Sequence, residues 1–500
     1  MITNKVDRKT KLDKAVGIVA AGAYIPIYRL PRSSIAQAWG ARSIGGERSV
    51  ANHDEDSITM AVEAARDCLN GVNRDTIGGV YFASTTAPYN EKGCATLISA
   101  VLGLSTNILT ADFAHSIRSG TNALLAAIAA VESGQADQIL VVAADIRMGY
   151  PKSVDEQMFG DAAAAIVVGR GTSKRKILAS IDGFLTHADE LNDVWRRDID
   201  PFVRSWEDRW VIDQGYIANM RETVKALMMK EEIEPSGVAK AVFYSPNLRS
   251  GVSVAKSLGL DPETQLQDSL IASVGACGSA QTLLLLVAAL ESAKPGDRLL
   301  VAGYGEGVDA FHIRVVSQID QIGGRKGVDG YLKSRLTLDT YQKYVMFRGL
   351  TSLPPEARLR VFEYSGATIT WRLRNSILRL NGSRCNKCDS TVFPVQRICY
   401  VCQRRDDYIE VPLADHRGKI FTFSLDNLAG GVNPPVVKGV VESSEGQTRI
   451  DCLMTDCDPK EIKVDLPVEM TFRRMHEGAD MYNYYWKARP VRGDNGLSSK

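Results

Sequence analysis

Four of the nine cysteines stand in two CxxC pairs, Cys385-Asn-Lys-Cys388 and Cys399-Tyr-Val-Cys402, with ten residues between the pairs. Thiolates at i and i+3 of a tight turn fill two corners of a tetrahedron, and two such turns close a four-sulfur site. Zinc is the metal that this donor set and spacing select. Four sulfur ligands leave no open position, so the site is read as structural and not catalytic. A thioredoxin-like redox pair would need a βαβ setting, which the surrounding residues do not offer. The other five cysteines, Cys68, Cys94, Cys277, Cys452 and Cys457, lack the paired spacings of a secreted disulfide framework. Reduced thiols and one metal site point to a cytoplasmic protein.

The elements that must position any further chemistry show up as an internal repeat. Gly120 to Asp145, GTNALLAAIAAVESGQADQILVVAAD, matches Gly278 to Gly303, GSAQTLLLLVAALESAKPGDRLLVAG. Each copy opens with small residues and continues as an apolar helix ending in Glu-Ser (132–133 and 291–292). A polar turn then leads into an apolar strand, Ile139 to Ala143 or Leu299 to Ala302. The helices are apolar on nearly every side, which implies burial between layers. The strands are continuous apolar runs, as in sheets covered on both faces. A duplicated α/β architecture follows, with halves at 1–175 and 176–320 and a five-layer α/β/α/β/α sandwich as the expected arrangement.

Beyond residue 320 the pattern changes. Residues 321–380 read as a linker or excursion, 381–408 as the zinc ribbon, and 409–492 as a small all-β barrel. The barrel reading rests on short alternating runs at Ile420–Ser424, Val436–Glu442, Thr448–Met454 and Val468–Phe472. The tail NGLSSK is expected to be disordered. The chain has 500 residues, 45% hydrophobic and 24% charged, with a formal net charge of +1. That balance gives no overall attraction to nucleic acid or to an acidic membrane. The most apolar helix-like stretch, Thr282 to Leu290, is far too short to span a bilayer. Gly22 and Pro26 interrupt the apolar run near the N-terminus, which therefore reads as a first strand and not as a signal peptide. Gly303-Tyr304-Gly305-Glu306-Gly307 follows a strand but lacks the helix and acidic residue of a dinucleotide site.

Several stretches keep the order and spacing of one family: VGIVAAGAYIPIYRL (16–30), DEDSITMAVEAARDCL (54–69), GDAAAAIVVG (160–169), NDVWRRD (192–198), SPNLRSGVSVAKSLGL (245–260) and AKPGDRLLVAGYGEGVDAF (293–311). On these residues the first 320 positions resemble hydroxymethylglutaryl-CoA (HMG-CoA) synthases of the archaeal and bacterial type, within the thiolase superfamily. The run CNKCDSTVFPVQRICYVC is followed by GKIFTFSLDN (418–427), NPPVVKGVVE (433–442) and MTDCDPKEIKVDLPVEMTFRR (454–474). That region resembles the rubredoxin-like zinc ribbon and OB-fold of acyl-CoA-associated proteins. Phe421, Phe423, Tyr482, Tyr484, Tyr485 and Trp486 could stack bases in an OB-fold. The near-neutral charge and the company of the domain favour an acyl-CoA thioester over an oligonucleotide.

The resemblance implies a thiolate at the start of a buried helix, a histidine in an F-H-x-P-N segment, an asparagine and a glutamate. The matching positions carry Ile117, Tyr244, Ala276 and Thr85. An isoleucine cannot be acylated, so the standard acyl-enzyme reaction is not expected. Ser116, His115 and Cys277 neighbour the vacated positions and are weighed as substitutes, with Ser116 or Cys277 making an acyltransferase. Tyr244 is the candidate for proton transfer in a cysteine-free retro-aldol reaction on a β-hydroxyacyl-CoA. Ile117, Asn247 and Gly305 are expected to contact substrate, and Glu306 is a spare carboxylate beside them. The other reading is a subunit that binds CoA thioesters and pairs with a cysteine-bearing thiolase. A homodimer or such a hetero-oligomer is expected, with no nucleic acid or membrane partner.

Overall fold

The computed structural model describes residues 15–173, 175–317, 325–351, 366–429, 432–444, 448–478 and 481–492. The chain divides into two compact units. The first takes in the residues up to Ala51, Asp56–Ser99 and Leu104–Tyr341. The second takes in Asn52–Glu55, Ala100–Gly103 and the residues from Gln342 onward.

In the first unit nine strands form one sheet: β1 (Val16–Tyr24), β2 (Gly79–Ala83), β3 (Leu109–Phe113), β4 (Gln138–Ile146), β5 (Asp161–Arg170), β6 (Ala179–Ala188), β7 (Lys240–Phe243), β8 (Arg298–Tyr304) and β9 (Gly307–Val315). Their order is β7-β8-β9-β6-β1-β5-β4-β2-β3. The duplication is visible in the pairing. Outward from the seam between β1 and β6, each half runs through two antiparallel pairings and then a parallel one. Hydrogen bonding is continuous across the seam through Gly17–Ser180 and Ile18–Ala179, where sequence patterning leads one to expect two separate sheets. Gly17 permits this, because a Cβ there would strike the Ala179 carbonyl.

Helices cover both faces. Helix α1 (Ser57–Leu69) lies on β1, β5 and β4, and α3 (Ala218–Lys230) lies on β9 and β6. The repeated helices α2 (Ser119–Glu132) and α4 (Gln281–Ser292) pack on the sheet and on each other. Their near-total burial explains why neither shows a polar face. The helix starts meet backbone to backbone, since a Cβ on Gly120 would run into the Ser279 carbonyl.

The last turn of α4 caps another helix. The Glu291 carboxylate accepts from the Val328 N–H at 2.5 Å and the Asp329 N–H at 3.2 Å, at the start of the helix Gly327–Lys333. Burial, opposed by these two bonds, raises its carboxyl from 4.5 to about 7. The folded chain therefore holds this proton more tightly than the unfolded chain does. The resulting stability is complete below about pH 4.5 and is lost as pH rises through about 7. Glu291→Gln is expected to flatten the melting temperature across that window. An unchanged slope would show that another group sets it.

In the second unit, Asn381–Cys385 pairs with Thr391–Val392 and with Tyr408–Pro412 in a small antiparallel sheet. Five further strands follow: β10 (Gly418–Asp426), β11 (Val436–Ser443), β12 (Arg449–Leu453), β13 (Pro467–Gly478) and β14 (Met481–Pro490). They form an antiparallel sheet in the order β12-β11-β10-β13-β14. A parallel bridge between Met454 and Ala488 brings the two outer strands together. Alternation of buried and exposed residues along β11 and β12 aims Val437, Val441 and Ile450 at one core with Phe472 and Trp486. Phe472 stacks on Tyr484 and meets Trp486 edge-on. Within the span expected as linker, the described residues include short helices at Gly327–Lys333, Tyr341–Phe347, Ala367–Arg372 and Arg374–Leu378. The tail NGLSSK lies outside the described residues.

Candidate active-site cleft and four-cysteine cluster

The repeat brings two helix starts to the same end of the sheet, and a cleft of about 190 Å³ opens beside them. Its wall includes Thr85, His115, Ser116, Ile117, Gly305 and Glu306. The turn 115–118 leads from β3 into α2. Gly305, between β8 and β9, fits against this turn because it has no side chain. A Cβ there would lie 2.7 Å from the Ile117 Cγ1 and 2.9 Å from the Arg118 nitrogen.

Two buried carboxylates hold this arrangement. Asp145, at the end of β4, accepts from the Ser84 hydroxyl at 3.0 Å, the Thr85 N–H at 2.7 Å and the Thr86 hydroxyl at 3.0 Å. Its other oxygen accepts from the Ser279 N–H at 2.7 Å, just ahead of α4. One carboxylate thus ties the 84–86 loop of the first half to the helix start of the second. Gly278, at φ 56°, is needed here because a Cβ would strike the same carboxylate. Asp309 plays the reciprocal part. It accepts from the Thr121 hydroxyl at 2.7 Å and the Thr186 hydroxyl at 2.6 Å, with Arg118 at 3.4 Å.

The remaining wall is Arg147, Asp193, Val194, Trp195, Arg196 and Val203. Arg196 donates to the Thr85 carbonyl at 2.6 Å. Asp193 is buried and accepts from the Val194 N–H at 2.5 Å. Burial drives its carboxyl above the usual aspartate range, and Glu306 adds to the rise. Tyr216, Tyr244 and Tyr304 form an aromatic cluster with ring centroids 5.3–6.3 Å apart. The Tyr216 hydroxyl donates to the Tyr244 carbonyl at 2.5 Å.

The residues singled out from the sequence fall as follows. Ile117, Ser116, His115, Thr85, Gly305 and Glu306 share the cleft wall. The Ser116 hydroxyl accepts from the Arg118 N–H at 3.2 Å and faces the Gly305 carbonyl at 3.5 Å, which ties it into the turn ahead of α2. The Gly305 N–H donates to the Gly307 carbonyl at 3.0 Å. Tyr244 is buried, outside the residues that line the cleft, and burial pushes its phenol up to about 12 despite the opposing pull of Arg147. Asn247 caps the helix Ser250–Ser257 by accepting from the N–H groups of Arg249 and Ser250. Ala276 is buried. The Cys277 thiol is fully buried and points at the Gly275 carbonyl, 3.2 Å away. Burial, reinforced by Asp161 and Asp145, raises it above the ordinary thiol range.

Sequence reasoning passed over Arg147, Asp145, Asp309 and Asp193. Each carried a signal. Asp145 and Arg147 interrupt or follow an otherwise apolar strand, Asp193 sits in the quoted NDVWRRD segment, and Asp309 sits in the quoted AKPGDRLLVAGYGEGVDAF segment.

The four cysteines of the CxxC pairs converge in the second unit. All four sulfurs lie within 4.8 Å of one another, and the group could hold a metal ion. Cys385 and Cys402 are 3.6 Å apart, and Cys388 and Cys399 are 3.5 Å apart. Tetrahedral zinc with bonds of about 2.3 Å would set sulfur–sulfur edges of about 3.8 Å. Backbone N–H groups of Val401 and Cys402 turn toward the Cys399 sulfur, and that of Ser390 toward Cys388. Such bonds are what a thiolate ligand needs. Among the described residues, no helix is long and apolar enough to cross a membrane.

Residues 111–183 match the family model for 3-oxoacyl-[acyl-carrier-protein] synthase III, and residues 228–314 match the model for the C-terminal part of that family. The hydroxymethylglutaryl-CoA synthase of Pyrococcus furiosus is 33% identical over 342 residues, which cover 67% of this chain and 96% of that protein. The hydroxymethylglutaryl-CoA synthase of Thermococcus sibiricus is 35% identical over 349 residues, 68% of this chain and 98% of that protein. Among solved structures, HMG-CoA synthase complexed with CoA superposes with a TM-score of 0.61 at 19% identity, over 70% of this chain and 95% of that one. That likeness supports the thiolase-like α/β fold. The chain belongs to the hydroxymethylglutaryl-CoA synthase family of the thiolase superfamily and carries a C-terminal extension with a four-cysteine cluster and β-sheets.

Proposed function

We propose that this protein binds an acyl-CoA thioester in the cleft and makes or breaks a carbon–carbon bond beside the thioester without forming an acyl-enzyme. Retro-aldol cleavage of a β-hydroxyacyl-CoA is the reaction that fits best. The observation that carries this reading is the composition of the cleft wall. Its lining has a buried carboxyl, cations and hydroxyls, and among the described residues no thiol. Ile117 fills the position at which the family resemblance calls for a thiolate. Cys277, the sulfur weighed as a substitute, holds its proton at neutral pH. Ser116 has no base among its hydrogen-bond partners, which argues against an acyltransferase using either residue. The family relatives act on CoA esters by name, which supports the same substrate class here.

In the cleavage direction, Asp193 takes the proton of the β-hydroxyl as the bond between the α and β carbons breaks. The electron pair moves to the thioester oxygen as an enolate, and protonation at the α carbon completes the step. A carboxyl raised by burial is a stronger base than an ordinary aspartate. Tyr244, with its phenol near 12, keeps its proton and stands behind the lining residues, where it positions the cleft wall. Asp193→Asn is expected to lower kcat about 100-fold or more on the best β-hydroxyacyl-CoA, and Tyr244→Phe to lower it by a smaller factor. Unchanged turnover in both variants, or no cleavage of any β-hydroxyacyl-CoA by the unaltered protein, would overturn this reading.

In the second unit we read the cysteine cluster as a structural zinc ribbon and the five strands as an OB-type barrel that binds CoA thioesters. The strand order and the Met454–Ala488 bridge support the barrel. A second reading makes the chain the CoA-binding half of a complex with a cysteine-bearing thiolase. Ile117 favours it, because a partner would then bring the missing sulfur. Native purification separates the two: a self-only oligomer supports the autonomous lyase, and a stoichiometric thiolase supports the complex.

A further inference from the structure

Arg147 follows Asp145 by two residues at the end of β4, and the two have opposite circumstances. Asp145 accepts four hydrogen bonds. Arg147 is only 3% exposed, yet among the described residues its guanidinium has no hydrogen bond and no carboxylate within 4.0 Å. Its one described partner is the Phe159 ring, whose centroid lies 4.2 Å from the guanidinium carbon. An aromatic ring takes up one face of a guanidinium and leaves the in-plane N–H donors free. Those donors belong to a residue of the cleft wall.

A buried cation without a counter-ion is costly, and proteins normally pair it. The neighbouring carboxyls do not do so. Asp145 and Asp309 are spent on the donors described above, and Asp200 pairs with Arg197 and Arg204. Asp193 and Glu306, on the same wall, make no hydrogen bond or ion pair with Arg147 among the described residues. Arg147 therefore presents an unpaired guanidinium to the cleft, with planar donor geometry suited to bidentate recognition of a carboxylate.

We propose that Arg147 binds a carboxylate carried by the acyl arm of the substrate, so that the protein selects ω-carboxyacyl-CoA thioesters over their uncharged counterparts. The inference rests on the reading that the cleft receives the acyl group. It adds the substrate's second charge and names the residue that reads it.

The test compares succinyl-CoA with butyryl-CoA, which have acyl chains of equal length, by calorimetric titration of the full chain. The unaltered protein is expected to bind succinyl-CoA at least tenfold more tightly. Arg147→Gln is expected to bring the ratio of the two dissociation constants to about one, and Arg147→Lys to restore part of it. Equal affinities in the unaltered protein would overturn the proposal while leaving acyl-CoA binding intact. A preference that survives Arg147→Gln would also overturn it. Failure to bind either thioester would overturn the assignment of the cleft itself. Because the unaltered protein decides the first comparison, a variant that fails to fold does not rescue the idea.

Discussion

Cys399→Ser is expected to abolish metal binding at the four-cysteine cluster and to unfold the segment around residues 381–412. Two knuckles hold the site, and this substitution removes one of four thiolates whose partner sulfur is 3.5 Å away. The rest of the segment relies on a small sheet and on exposed ion pairs such as Arg397–Asp406 and Arg404–Asp407, which contribute little each. Its sheet has strands of two and five residues, and Tyr400 and Val401 are exposed. Structural zinc contributes about 10–16 kcal/mol to the folding of isolated zinc-finger peptides, far more than this small sheet supplies on its own. Elemental analysis is expected to fall from about one zinc per chain to near zero. Limited proteolysis should then cut between residues 381 and 412, and a chelator applied to the unaltered protein should give the same cleavage pattern. Retention of zinc at full stoichiometry in the variant would show that the cluster is not the metal site.

The second large effect is predicted for Asp145→Asn. The amide oxygen can keep the donors from Ser84, Thr85 and Thr86, but the NH2 group then faces the Ser279 N–H, which loses its acceptor. One buried N–H goes unpaired and a charge-assisted network becomes neutral, at a combined cost of about 3 kcal/mol. For a unit of roughly 330 residues that corresponds to a fall of about 4 °C in its melting temperature. Asp145→Ala should cost more, since all four donors are stranded. A fall of less than 2 °C for Asp145→Asn would mean that the two halves are joined by other contacts.

What could be read from the sequence, and what could not, follows from the range of the interactions involved. The repeat was legible because the burial of α2 and α4 demands apolar residues on every side, and that demand leaves a local pattern. The four cysteines were legible because the ligand spacing within each knuckle is set by one turn of backbone. The continuous sheet was not, because it depends on Gly17 meeting Ala179, two positions 162 residues apart. Asn247 illustrates the limit for single residues. A motif placed it beside the substrate, while its side chain is committed to the helix at Ser250. Arg147 was missed for the opposite reason. Nothing in a sequence says whether a lone arginine has found a partner, and its significance comes from a burial and a lack of ion pairs that only three dimensions reveal. Tyr244 was named from the sequence, but the protonation state that decides which role it can play depends on the burial around it.

The distribution of sulfur in this protein bears on how it could be inhibited. Burial raises the thiols of Cys68, Cys94, Cys452 and Cys457 to about 12 and pushes that of Cys277 up as well. Alkylating warheads react with thiolates, and at neutral pH these five residues present almost none. The other four would be shielded as ligands. Electrophiles designed against a nucleophilic cysteine would therefore find no foothold in this cleft, and a selective compound would have to be a reversible one, built around charge and shape.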